Sequence, residues 1–76
     1  MFTLTEIVKD GILEIRFSFE DCESKIYTIT NARGESIMQG KITGNTQRTC
    51  LYVGDLKKGY YTFSLGASNH KEFTIQ

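Results

Sequence analysis

The chain is 76 residues long, enough to fill one hydrophobic core and not two, so residues 1–76 read as a single domain. Nine Lys plus Arg balance nine Asp plus Glu, and a formal charge of zero argues against a dedicated nucleic-acid or anionic-membrane binder, whose surface depends on excess cations. No run approaches the roughly eighteen apolar residues of a membrane span, and the opening MFTLTEIVKDG has neither the charged start nor the apolar stretch of an export signal.

Hydrophobic side chains alternate with a period of two almost everywhere, and a helical period never lasts beyond one turn. The first candidate strand is FTLTEIV at 2–8. The clearest follows from Gly11, where GILEIRFSF sets Leu13, Ile15, Phe17 and Phe19 against Glu14, Arg16 and Ser18, the pattern of a sheet with one dry side. KIYTIT at 25–30, ESIMQGKI at 35–42 and RTCLYV at 48–53 come next. Asp55–Gly59 reads as one helical turn, capped by Asp55 and closed by Gly59, with Leu56 plugging the end of the core. YYTFSLG then places Tyr61, Phe63 and Leu65 opposite Tyr60, Thr62 and Ser64, and KEFTIQ at 71–76 is the last candidate.

Lys9–Gly11, Asn31–Gly34, Thr43–Asn45 and Gly66–Asn69 carry the Gly, Asn and Asp residues of tight turns and read as hairpin corners. About seven short strands at this spacing predict an all-β fold, a single antiparallel β-sandwich of immunoglobulin-like form, with a five-stranded closed barrel as the alternative. The expected inward set is Leu13, Ile15, Phe17, Phe19, Ile29, Leu51, Val53, Leu56, Tyr61, Phe63, Leu65, Phe73 and Ile75. Proline, a common guard of exposed strand edges, is absent, which leaves that task to charges such as Glu35, Lys41, Lys71 and Glu72.

A spaced pattern runs through the second half: Tyr27, Ile29, Asn31, Gly34 and Ile37, then Leu51, Val53, Leu56, Gly59, Tyr61 and Phe63. It resembles the C-terminal sorting domains of the Bacteroidetes type IX secretion system. It is also similar to a companion family of small exported Bacteroidetes domains of unknown function, and more closely so through Gly11, Leu13, Ile15, Phe17 and the closing Lys71-Glu72-Phe73-Thr74-Ile75. The resemblance implies an immunoglobulin-like sandwich, export to the periplasm or cell surface, and a structural role for Asn31, Gly34, Leu56, Gly59 and Tyr61.

Few residues invite chemistry. His70 stands alone without a second histidine or a cysteine at ligand spacing, and a surface or turn position is the favoured reading. Glu20, Asp21 and Glu23 crowd around Cys22, but the stretch lacks the spaced ladder and glycine of a calcium loop and reads as solvated. Glu14 and Glu20 read as ordinary surface acids rather than a glycosidase pair. Cys22 and Cys50 show no C-x-x-C spacing, and two free thiols are favoured over a bridge. Gly11, Gly34 and Gly59 form no phosphate-cradling pattern.

Neither catalysis nor a cofactor or metal is expected. The best binding lead is an exposed face of Arg48, Tyr52 and Tyr60, weighed against the plainer reading that Tyr52 and Tyr60 are a cross-strand pair. The first expectation for function is therefore a non-catalytic exported structural or protein-interaction module, with its own copy, paired along a sheet edge, as one candidate partner. A carbohydrate or small-ligand binding module using the tyrosines is the second, and a secretion sorting or anchoring domain, implied by the resemblance, is the third. A long helix, or a pocket in which His70 meets acids from distant segments, would contradict the scheme.

Overall fold

A computed structural model describes residues 2–17, 24–66 and 69–76. Among these lie eight strands: β1 (Phe2–Leu4), β2 (Ile7–Val8), β3 (Ile12–Phe17), β4 (Lys25–Asn31), β5 (Ser36–Ile42), β6 (Arg48–Tyr52), β7 (Gly59–Leu65) and β8 (Asn69–Ile75). They form a three-stranded sheet in the order β1-β3-β6 and a five-stranded sheet in the order β2-β8-β7-β4-β5. This is the expected all-β sandwich of immunoglobulin type, with one strand more than the sequence suggests.

The additional strand comes from dividing 2–8. Thr5 still belongs to the first sheet: its amide donates to the Glu14 carbonyl at 3.0 Å, and its hydroxyl accepts from the Glu14 amide at 3.2 Å. The next carbonyl, that of Glu6, accepts from Thr74 of the second sheet at 2.8 Å. Glu6 occupies the position that alternation from Phe2 and Leu4 reserves for the core, so a strand carried straight through would bury a carboxylate. Switching sheets leaves Glu6 exposed while Phe2 and Val8 both reach the interior. β2 then runs parallel to β8, so the larger sheet is mixed rather than wholly antiparallel.

Only two of the four expected hairpin corners join neighbouring strands, β4 to β5 and β7 to β8. The turns at Lys9–Gly11 and Thr43–Asn45 instead carry the chain from one sheet to the other, β2 to β3 and β5 to β6. Their local chemistry is as expected: Asp10 Oδ1 accepts from the Ile12 amide at 3.1 Å, and Gly11 and Asn45 have φ of 80° and 65°. Turn residues fix how sharply the chain bends, not which sheet receives it.

The core closes between the two layers. Leu13, Ile15 and Val53 from one side meet Ile29, Phe63 and Phe73 from the other, all almost fully inaccessible, with Tyr61, Leu65 and Ile75 beside them. Phe2 packs edge-on against Phe63 at 5.3 Å between ring centroids, while Tyr27 stacks on Phe63 at 5.6 Å and Tyr61 on Phe73 at 5.7 Å. Phe2, Val8, Tyr27 and Ile42 join the expected set, whereas Phe17, Leu51 and Leu56 are only partly buried against it. Phe19 lies outside the described residues.

Glu35 and Lys41 flank and occupy the edge strand β5. β8 is an inner strand by order, but β2 pairs only with Thr74 and Ile75, so Lys71 and Glu72 lie on a stretch whose outer edge is open. No helix among the described residues is long and apolar enough to cross a membrane.

Candidate functional site

Two of the spaced motifs resolve into backbone chemistry. At the end of β4, Asn31 Oδ1 accepts from the amides of Arg33 and Glu35 at 2.9 and 3.0 Å, and its Nδ2 donates to Glu35 Oε1 at 3.0 Å. Main-chain bonds from Asn31 N to Glu35 O and from Gly34 N to Asn31 O complete the loop, and Gly34 takes the left-handed conformation at φ 85°. This is a hairpin with a left-handed residue closing its turn, and Asn31 and Gly34 are the residue types it requires.

The second motif is the crossing from β6 to β7. The Leu56 amide donates to the Val53 carbonyl at 3.1 Å, making a turn over 53–56 rather than the helical turn expected at Asp55–Gly59. Leu56 still rests against the core, Gly59 opens β7 at φ 149°, and the buried Tyr61 sends its hydroxyl back to the Lys57 carbonyl at 2.6 Å. That return bond is the tyrosine corner of immunoglobulin-like sandwiches.

Arg48, Tyr52 and Tyr60 are all exposed, but the structure does not bring them together. Arg48 and Tyr52 lie on β6 in the three-stranded sheet, and Tyr60 lies on β7 in the five-stranded sheet. Tyr52 faces Ile12 across the ladder and Tyr60 faces Thr74, so the two tyrosines are not a cross-strand pair either. Alternation correctly turns each side chain outward; it cannot say that the outward faces look in opposite directions. Arg48 is engaged by Glu14, whose carboxylate takes Arg16 Nε at 3.1 Å and Arg48 Nη1 at 3.4 Å.

Among the described residues the surface carries open grooves. The first, lined by Thr3, Leu4, Glu6, Thr62, His70, Lys71 and Glu72, follows the open edge of β8. It brings His70 into one groove with Glu6 from a distant segment and with Glu72 of its own strand. Among the described residues, however, no hydrogen bond or ion pair joins His70 to Glu6 or Glu72. The second is bounded by Tyr60, Thr30, Thr62, Glu72 and the Asn31–Gly34 turn. The third runs past Ile7 and Ile12 beside Lys9, Asp10 and Glu14.

Cys50 is a free, exposed thiol on β6, and Cys22 lies outside the described residues together with Glu20, Asp21 and Glu23. Among the described residues no three metal-ligating side chains gather. Sequence reasoning missed the grouping of Thr30, Thr62 and Glu72 beside Tyr60, because only strand register reveals it.

The decisive comparison is with protein families. The family model described as the secretion system C-terminal sorting domain matches residues 9–76, from the turn before β3 to the end of the chain. The chain belongs to this family of sorting domains. Of the two likenesses read from the sequence, the comparison therefore returns the sorting domain, and nothing supports the companion family of unknown function. No curated protein matches the chain. Membership in a family of secretion sorting domains implies an exported protein and is compatible with a non-enzymatic module. The match begins at Lys9 and takes in β3 to β8, while β1 and β2, each at an edge of one sheet, precede it.

Proposed function

We propose that this domain is the sorting unit of exported cargo: a folded address that a type IX-like secretion machinery reads in order to carry an attached protein to the cell surface. The observation that carries this reading is the family match over 9–76, which spans six of the eight strands. It moves the weight from an interaction module of unspecified role to the sorting reading that stood third in the sequence.

The site geometry supports a folded rather than a linear signal. Asn31 and Gly34 are spent on a hairpin turn, and Leu56, Gly59 and Tyr61 on the β6–β7 crossing. Asn31, Gly34, Leu56, Gly59 and Tyr61 thus serve the sandwich itself, which leaves recognition to the surface that the sandwich presents. Contact between that surface and the machinery is protein–protein in kind.

The test places a secreted reporter ahead of residues 1–76 in a host with an active type IX system and in the same host lacking it. The reporter should reach the outside only in the competent host. Reporter retained inside in both, with the fusion intact and folded, would end the proposal.

A further inference from the structure

The groove beside Tyr60 has the makings of a ligand site that a sorting role does not call for. Thr30, Thr62 and Glu72 form one row across β4, β7 and β8, since Thr30 faces Thr62 and Thr62 faces Glu72 in the two ladders. Tyr60 precedes Thr62 by two residues and so shares its outward face, with 72% of its surface exposed. The Asn31–Gly34 turn supplies the other wall, kept low by Ala32 and by the missing side chain of Gly34. Among the described residues none of the side chains of Thr30, Tyr60, Thr62 and Glu72 makes a hydrogen bond or ion pair within the protein, so their polar groups are free to serve a ligand.

We propose that this groove binds a neutral saccharide. A pyranose ring has an apolar C–H face and a rim of hydroxyls. The Tyr60 ring matches the face, the acceptor-only Glu72 carboxylate takes hydroxyl donors, and the threonine hydroxyls both give and accept. The groove spans about 370 Å³, near the small end of the ~300–1,000 Å³ of small-ligand sites. Glu72 is its single charged lining residue, which repels acidic sugars and selects neutral ones. The proposal is independent of the sorting role, because either activity can fail while the other stands. It also relocates sugar recognition from Arg48 and Tyr52, which lie on the other sheet, to partners that register places around Tyr60.

The experiment is affinity electrophoresis of the 76-residue chain through gels containing laminarin, glycogen, galactomannan, xyloglucan or yeast mannan, with a polyuronate as the acidic counterpart. At least one neutral glycan should retard the protein and the polyuronate should not. Tyr60→Ala should weaken retardation about tenfold, the scale of losing one aromatic anchor. Glu72→Gln should weaken it several-fold, and Tyr52→Ala, on the opposite sheet, should leave it unchanged. Circular dichroism confirms that each variant is folded. Unretarded migration of folded protein in every neutral gel, retardation that survives Tyr60→Ala, or preference for the polyuronate would overturn the proposal.

Discussion

The Tyr61 hydroxyl donates to the Lys57 carbonyl at 2.6 Å, four residues back along the chain, and this bond locks the crossing from the three-stranded sheet into the five-stranded one. Its ring meanwhile stacks on Phe73 within the core. One side chain thus joins the packing of the sandwich to the path of the loop that closes it.

Tyr61→Phe keeps the stacked ring and removes only the hydroxyl. A part-buried hydrogen bond of this kind contributes about 1 kcal/mol, so the melting temperature should fall by about 4–8 °C with the fold unchanged. Thermal unfolding followed by circular dichroism checks it, and an unchanged melting temperature would show that the corner bond is dispensable.

Gly34→Ala tests the hairpin turn without confusion from packing, because a methyl there meets nothing within 4 Å. Its cost is the left-handed backbone alone, about 1–2 kcal/mol for a residue with a side chain. Gly34→Asn should lose less, since Asn tolerates this conformation. Urea unfolding should rank the three as Gly, then Asn, then Ala.

Two further glycines should behave differently from each other. A Cβ at Gly40 would lie 2.6 Å from the Tyr27 ring, which is buried and stacked on Phe63. At Gly54 the obstacle is the Tyr52 ring, 61% exposed and free to swing away. Gly40→Ala should therefore cost about 1–3 kcal/mol by overpacking. Gly54→Ala should stay within about 0.5 kcal/mol, as surface substitutions usually do. Paired denaturation curves decide; equal losses would refute the distinction.

The Glu14 carboxylate joins Arg16 and Arg48, but both guanidiniums are largely in water. Glu14→Gln should change stability by no more than about 0.5 kcal/mol, and less still in high salt. Unfolding midpoints measured at low and high ionic strength provide the check.

β3 and β7 were legible because each pairs a strict alternation with a buried face, as Leu13 and Ile15 or Tyr61 and Phe63 show. β4 was legible in part: Ile29, expected inward, is buried, and Tyr27 two residues before it shares that face and is buried too, although the expected inward set lacks it, while Ile26 is left exposed. In β5 the ladder passes from Ile29–Met38 to Thr30–Ser36, leaving Ile37 as the extra residue of a bulge. That bulge exposes Ile37 and turns Met38 and Ile42 toward the core, a reversal that local alternation does not reveal. The candidate groove was hidden for a related reason. Thr30, Thr62 and Glu72 stand far apart in the chain and ordinary in composition, and they become neighbours only through two registers.

The closed sandwich itself is the proposed sorting signal. Its sharpest test is reporter export at growth temperature across the graded series of unaltered chain, Tyr61→Phe, Gly34→Ala and Gly40→Ala, each fused to the same cargo in a type IX-competent host. Export should fall in step with the folded fraction of the domain. Full export from a variant that is unfolded at that temperature would contradict the claim and point to a linear signal instead.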